Sequence, residues 1–391
     1  MDLDSGAGLL HRLTSYNPER EWDVAADDPR LRHDLVPNDP QTLPPQVKEY
    51  RGDLSVMPLP RDLPLPGVSA AAVLAGVPIA TQVLDAAQLG RVLFLGGGVV
   101  RTSEHKVRGR LLFRAAGSAG GKFPLEIYAS TRGVASVPDG VHWYDPVEHA
   151  LVQVGPVAGG EATTLVVTGV PWRTGWRYGE RGWRHVYWDA GTLLSQMLAA
   201  AASAGLGPRL RTLFPDASVR DLVGADGVHE YPVALVSLGD GPAAVEPSGP
   251  AATGTLPPVE LPLCTKAQRA GERDELGAPW PQAPALPEVP ASPSLDEVVL
   301  RRGSQRLMDR DAQLAAGLVE GRLHLAAYAL RATASGMTFL DSEVPALLGE
   351  PDDLVTLLFT CVGVGEYSSR PGGGPGAPVE VRPVVSRLGR Q

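Results

Sequence analysis

Apolar spacing changes several times along this chain, and the changes divide it into segments. Through residue 66 no period of 3.6 or 2 is sustained and prolines interrupt the short apolar runs, so residues 1–66 read as an arm wrapped over a core. From Val68 to Leu74 and from Val83 to Leu95 apolar residues recur three or four apart, predicting two short helices with a Gly/Pro break between them. The period then shortens: Leu125 to Ser130, β-rich runs within Gly140 to Val154, and Glu161 to Val170 with its Thr-Thr-Leu-Val-Val-Thr predict the strands of a sheet. Gly175 to Leu206 predicts one long helix, ended by Gly205 and Gly207, and Pro232 to Leu238 a further strand. From Asp240 to Ser294 the chain is rich in Pro, Ala and Gly without period, a linker or covering loop. A new helical pattern opens at Leu295, with Ser294 as N-cap and Glu297 in the capping-box position.

A repeat underlies this order. Leu198-Ala-Ala-Ala-Ala through Phe214-Pro-Asp to Gly224 is echoed by Leu325-Ala-Ala-Tyr-Ala through Phe339-Leu-Asp to Gly349. Each is followed by an apolar strand candidate, Pro232 to Leu238 and Leu354 to Val362, so helix, loop, short helix and strand occur twice. The expected organisation is an arm (1–66), a first domain (67–240), a Pro-rich linker or covering loop (241–294) and a truncated second domain with a Gly-rich tail (295–391).

Composition narrows the function classes. The 391 residues are 43% apolar and 20% charged, enough for a core, while 45 Gly and 37 Pro require a long irregular stretch. Net charge is −9, and Lys48, Lys106, Lys122 and Lys266 are the only lysines beside 31 dispersed arginines, which disfavours nucleic acid as the main partner. Cys264 and Cys361 are too few for a disulfide framework or a thiolate zinc site, so a reducing cytoplasm is expected. Asp2 and Asp4 stand where a signal peptide carries positive charge, and no apolar run has the length of about 18–20 residues that spans a bilayer.

Three segments carry candidate chemistry. Arg114-Ala-Ala-Gly117-Ser118-Ala119-Gly120-Gly-Lys is a small-residue turn that lets backbone approach a flat or anionic ligand; Ala116 stands where a nucleophile elbow needs its first glycine, so a serine hydrolase is rejected. Arg301-Arg302-Gly303-Ser304-Gln305-Arg306 presents guanidinium forks and a hydroxyl suited to a phosphate, though spacing alone favours a solvated basic face. Trp172, Trp176, Trp183 and Trp188 crowd one segment: read as one helix, Trp176 and Trp183 share a core face, and Tyr178, Arg181 and His185 share another where a proton donor is presented. His142 and His149 lack a third ligand and are ordinary histidines; no metal site is expected.

These motifs in sequence resemble the SagB-type dehydrogenases (azoline oxidases) of the FMN-dependent nitroreductase superfamily. The match runs through Arg114-x-x-x-Ser118-Ala119-Gly120-x-x-x-Pro124-Leu125-Glu126-x-Tyr128, Gly140-Val-His-Trp-Tyr144-Asp145-Pro146, and Arg177-Tyr178-Gly-Glu-Arg181-Gly-Trp-Arg184 ahead of Gly191. Pro45-x-Val-Lys48-x-Tyr50 and His11-Arg-Leu-Thr14 resemble its N-terminal segment, and the likeness covers most of residues 9–240.

The resemblance implies an α+β nitroreductase-like fold, FMN bound between two subunits, and oxidation of peptide thiazolines and oxazolines to thiazoles and oxazoles during ribosomal-peptide maturation. It further implies a modified precursor peptide as substrate and a cyclodehydratase complex as partner. The family's phosphate motif is missing before Val68 but present as Arg301, Arg302, Ser304 and Arg306, whereas the Ser-Ala-Gly turn is present only in the first copy. The expectation is a fused pseudo-dimer, monomeric or in a higher homo-oligomer, with one composite flavin site. That site takes Gly117, Ser118, Ala119 and Gly120 from the first copy, the arginines from the second, Gly336 and Met337 at the ring, and Arg370 or Arg382 from the tail. Azoline oxidases carry a Lys-Tyr pair where this chain has Arg177-Tyr178; a guanidinium is a poor base, so proton removal falls to Tyr178 with His185 assisting. The alternatives are an FMN oxidoreductase on a dehydroamino acid, nitro compound or quinone, and a degenerate protein that sequesters flavin or scaffolds a complex without catalysis.

Overall fold

A computed structural model describes residues 5–15, 40–50, 52–105, 109–255, 259–282, 284–286, 288–302, 323–330, 333–337, 359–363 and 370–381. In chain order its elements are α1 (Gly6–Thr14), β1 (Val56–Pro58), α2 (Ala70–Leu74), α3 (Ala86–Gly97), β2 (Val99–His105), β3 (Gly109–Arg114) and β4 (Leu125–Thr131). There follow β5 (Gly140–Asp145), β6 (Ala150–Gly155), β7 (Thr164–Gly169), α4 (Pro171–Tyr178), α5 (Gly182–Ala202), β8 (Pro208–Arg211), α6 (Asp216–Val223) and β9 (Tyr231–Leu238). The remainder are α7 (Pro262–Gly271), α8 (Leu295–Arg301), α9 (Leu323–Ala329), β10 (Thr333–Met337), β11 (Phe359–Gly363) and β12 (Val379–Glu380). This is the α+β class expected.

The main sheet is antiparallel throughout, in the order β1-β6-β5-β4-β7-β9-β8. Successive side chains on a strand point to opposite faces, and both faces here are covered. Ile127, Leu165 and Val167 pack with Leu89, Val92 and Leu93 of α3 and Leu193 and Met197 of α5. The alternate residues Tyr128, Val166 and Leu235 pack with Trp143 and with Val219 and Leu222 of α6. Every residue of β4 is therefore buried, which puts the turn preceding it at the edge of a rigid central strand.

The predicted single helix over 175–206 is two. Gly179 takes φ 55° and ψ −142°, ending α4, and α5 restarts at Gly182. A Cβ on Gly182 would lie 2.7 Å from the Gly175 nitrogen, so the two helices cross where neither has a side chain. Trp176 and Trp183 consequently do not share one helical face, although Trp176 is buried. Arg181 turns from Tyr178 to the N-terminal segment, donating from Nη1 to the Thr14 carbonyl at 2.5 Å.

The Pro-rich stretch also holds more order than its composition predicts. Within it α7 packs Cys264 and Ala267, with Leu261, on Leu10 of α1, and its first amides are capped by the Glu180 carboxylate, from Cys264 N at 3.0 Å and Leu263 N at 3.2 Å. Ser294 caps α8 as expected, accepting from Glu297 N. That helix is pinned to α3 by a buried bidentate pair: Arg91 Nε and Nη2 each reach an Asp296 oxygen at 2.8 Å, and Nη1 donates to the Ala200 carbonyl at 3.0 Å.

Of the segment expected to form a second repeat, α9 and the antiparallel pair β10–β11 are described. Its expected short helix, and Ser304, Arg306 and Arg382, lie outside the described residues. The Gly-rich tail returns to the first half: Gly373 N donates to the Val100 carbonyl at 2.8 Å, and β12 adds to β2 in parallel. No helix among the described residues is long and apolar enough to cross a membrane.

Candidate functional site

The small-residue motif folds as a tight turn between β3 and β4. Gly120 and Gly121 both have left-handed backbones, φ 58° and 63°, which only glycine adopts without cost. Ala119, Gly121, Lys122 and Phe123 amides are satisfied within the protein, so the turn offers a ligand its small exposed surface rather than a ring of open N–H groups. A Cβ on Gly120 would stand 2.7 Å from the Tyr178 hydroxyl, and one on Gly117 would stand 3.1 Å from Arg302 Nη1. The motif, the proton-donor candidate and the second repeat's arginine segment thus meet at one place.

Behind Tyr178, the His185 ring stacks at 4.0 Å and 7°, and Trp188 meets that imidazole edge-on at 4.8 Å. The helix break at Gly179 creates this stack, by folding the end of α4 back over the first turn of α5. His185 is 7% exposed and neither ring nitrogen has a hydrogen-bond partner. Burial, with Arg181 and Arg184 nearby, pushes its pKa down to about 3, so the ring is neutral. Arg177, next to Tyr178 in sequence, is exposed.

The arginine segment divides. Arg302 is buried and gives Nη2 to the Ala115 carbonyl; with the Gln196 amide oriented to suit the network, Nε donates to its oxygen at 2.7 Å. Burial pulls its pKa down to about 10, so it remains a cation. In this structure Arg302 holds the turn from beneath instead of standing open for a phosphate. Arg301 is exposed and pairs with Glu297 one helical turn back, Nε to Oε1 at 3.4 Å. Gly336 and Met337 lie on β10, paired with Thr360 and Phe359 of β11. Arg370 is exposed and its carbonyl accepts from Arg101 Nη2 at 2.9 Å. His142 and His149 bond the Pro138 carbonyl and the Tyr144 hydroxyl respectively, and the described residues hold no cluster suited to a metal ion.

One polar group of the site escaped sequence reasoning, and one motif residue was given no role by it. Asp189, 5% exposed on α5, accepts from the Ser118 hydroxyl at 2.5 Å and the Ala119 amide at 3.0 Å. Its position four residues after His185, with Thr192 and Gln196 following at helical spacing, was the available signal. Below the turn, Glu126 pairs with Arg173 at 2.5 Å and accepts from Trp143 Nε1 at 2.9 Å. Although burial pushes the Glu126 pKa up, Arg173 and Arg114 hold it below the usual range. The N-terminal motif residues serve the same sheet face as Glu126, further along β4: Lys48 Nζ contacts Glu230 at 2.5 Å and the Tyr128 hydroxyl at 2.7 Å, and the Tyr50 hydroxyl donates to Tyr128 at 3.1 Å.

A model of the nitroreductase family matches residues 113–240. MJ1384 of Methanocaldococcus jannaschii, named as a nitroreductase, is 30% identical over 167 residues, 39% of this chain and 79% of that protein. Among solved structures, a chain from Anabaena variabilis, also titled a nitroreductase, superposes with a TM-score of 0.64 at 17% identity, covering 93% of this chain and all of that one. This likeness shows the fold alone. The E. coli microcin synthetase McbBCD complex with truncated pro-MccB17 bound aligns over 49% of this chain and 69% of that one, at 17% identity and a TM-score of 0.35, a level that carries no argument about substrate.

Proposed function

We propose, for a chain that belongs to the nitroreductase family and is therefore an oxidoreductase, that it is an FMN-dependent dehydrogenase of the SagB type, converting azoline rings of a modified precursor peptide into azoles. The observation that carries the reading is the meeting of three parts: the Ser118–Gly121 turn, the Tyr178–His185 stack and the segment beginning at Arg302. In this reading the chain is a fused pseudo-dimer whose second repeat supplies its half of the site in cis, held in place by the Arg91–Asp296 pair.

The residues present fit a flat flavin. The turn presents glycines where a side chain would strike Tyr178, and buried His185 has two ring nitrogens left without partners. Gly117, Ser118, Ala119 and Gly120 would line the cofactor from one side, Gly336 and Met337 from the second repeat, and Arg301, Ser304, Arg306 and Arg382 would meet its phosphate. Bound FMN would supply the two-electron acceptor for azoline oxidation, with dioxygen as the terminal oxidant. The chain's own task is the proton. Tyr178 would receive it at its hydroxyl oxygen as the hydroxyl's own proton passes to water, while neutral His185, stacked face to face on the phenol with neither ring nitrogen hydrogen-bonded, would hold that ring in place and not take the proton. Arg302 keeps the turn in place and leaves the proton untouched.

Exposed Arg177, where azoline oxidases carry lysine, favours a second reading: the same flavin site acting on a dehydroamino acid, nitro compound or quinone. Turnover of a thiazoline-bearing peptide by the FMN-loaded protein separates the two. Tyr178→Phe should retain FMN and lose on the order of 100-fold in kcat. Unchanged turnover would remove Tyr178 from the mechanism, and reduction of nitro compounds or quinones without azoline oxidation would establish the second reading.

A further inference from the structure

We propose that Asp189 is a positioning residue of this site: its carboxylate fixes the Ser118–Gly121 turn in the shape that meets Tyr178, and protonation of that carboxylate loosens the turn. The inference rests on reading the turn as the seat of the flavin. Its structural part stands on contacts alone.

Asp189 grips the turn at two points, the Ser118 hydroxyl at 2.5 Å and the Ala119 amide at 3.0 Å. Ser118 Oγ in turn accepts from the Phe123 amide at 2.7 Å, so one carboxylate governs both ends of the loop. Three residues further along α5, Thr192 Oγ1 donates to the Gly117 carbonyl at 2.9 Å. The helix thus holds positions 117, 118 and 119 in succession, from the glycine beside Arg302 to the residue before Gly120, which meets Tyr178. A carboxylate accepts both bonds with the strength of its charge; the protonated acid has to reverse one of them, donating to Ser118 Oγ, and the Ala119 amide is left with a weaker neutral acceptor.

Among the described residues no cation offsets the charge. Arg114 lines the same cavity, but its donors go to the carbonyls of Leu125 at 2.7 Å and Gln46 at 3.1 Å. Arg302 is spent on Ala115 and Gln196, the Lys122 ammonium sits 4.1 Å over the Trp176 ring, and His185 one turn back on α5 is neutral. Glu126 on β4, beneath the turn, is paired with Arg173, and the phenol of Tyr178 stands across the turn at Gly120. Burial accordingly raises the Asp189 pKa to about 7, against the opposing effect of its Ser118 and Ala119 bonds, so the latch works within the physiological range.

The test is amide hydrogen exchange of the apo protein, corrected for intrinsic rates, with FMN titration in parallel. In the wild type the Ala119 and Phe123 amides should be protected at pH 8.5 and lose protection towards pH 5.5 with a midpoint near 7. Asp189→Asn should exchange both on the order of 10-fold faster at pH 8.5, remove the pH dependence and weaken FMN binding by a similar factor. Ser118→Ala added to Asp189→Asn should cost little more, because the two act in one chain of bonds. Protection in the wild type that does not change with pH, or an Asp189→Asn protein that keeps it, overturns the proposal, and the first result needs no variant to fold. If exchange behaves as expected but no FMN binds, the flavin reading falls while the latch stands. If FMN binds equally well to both proteins, the latch has no part in seating the cofactor and the proposal fails.

Discussion

Gly120 and Gly121 provide a matched pair for testing whether the turn sets the place of Tyr178. Both have left-handed backbones, so alanine at either costs about 1–2 kcal/mol in backbone strain. Their surroundings differ. A Cβ on Gly121 meets only the edges of Phe123 and Phe113, at 3.9 and 4.0 Å, ordinary contact. On Gly120 it would lie 2.7 Å from the Tyr178 hydroxyl, with the phenol ring at 3.5 and 3.7 Å. The hydroxyl is the far end of a side chain and moves away at modest cost to stability, but the ring is stacked at 4.0 Å on His185 and leaves that stack as it moves. Gly120→Ala and Gly121→Ala should therefore melt at similar temperatures, both below wild type. Turnover should separate them: a displacement of about 1 Å at a reacting group costs on the order of 100-fold in rate, so Gly120→Ala loses that factor while Gly121→Ala retains most of its kcat. The assays are thermal unfolding of the apo proteins and steady-state oxidation by the FMN-loaded ones. Equal rates in the two variants, with equal FMN content, would refute the coupling between turn and tyrosine.

Asp296→Ala leaves the Arg91 guanidinium buried and unpaired between α3 and α5, and should cost about 3–5 kcal/mol in urea unfolding; a loss under 1 kcal/mol would mean that α8 is held by other contacts. Stability against pH should show two opposed contributions. Asp189, raised to about 7, contributes stability that is complete below its ordinary 3.8 and is lost as pH rises through 7; His185, lowered to about 3, contributes stability that is complete above 6.5 and is lost as pH falls toward 3. At 1.36 kcal/mol per pKa unit each is worth at most about 4–5 kcal/mol, and between pH 4.5 and 6.5 they cancel. Asp189→Asn should unmask the histidine slope, gaining up to about 3 kcal/mol across that window relative to wild type. Parallel urea midpoints for the two proteins would contradict the Asp189 assignment.

The sheet was legible because β4, β5, β7 and β9 are runs of β-branched, aromatic and leucine residues bounded by Gly or Pro, with a core on both faces. Ser294 announced α8 by its cap. The β2–β3 hairpin went unread because Arg101, Glu104, His105 and Arg110 break its alternation; its register is held by bonds the pattern does not encode, such as Gln46 Oε1 accepting from the Leu112 amide at 2.9 Å. Helix α7 was hidden by its neighbours: Pro262 at its first turn is a good helix start, but among so many prolines it reads as one more breaker. In the site, the turn and Tyr178 were legible as motif residues. Their meeting was not, since it depends on Gly179 reversing the chain after α4, and a periodicity read through that glycine gave Arg181 to the wrong face. The same fold-back brings Asp189 beneath Ser118, across 71 residues of sequence.

The central claim is one flavin site per chain, built in cis from the Ser118–Gly121 turn and the segment opening at Arg302. Flavin content after FMN soaking and removal of free cofactor, read from the visible absorption and from FMN released by heat, tests it most directly. The account predicts a ratio near one FMN per chain, lost in Ser118→Trp, which fills the turn. A ratio near two, or no bound flavin in the wild type, would contradict it.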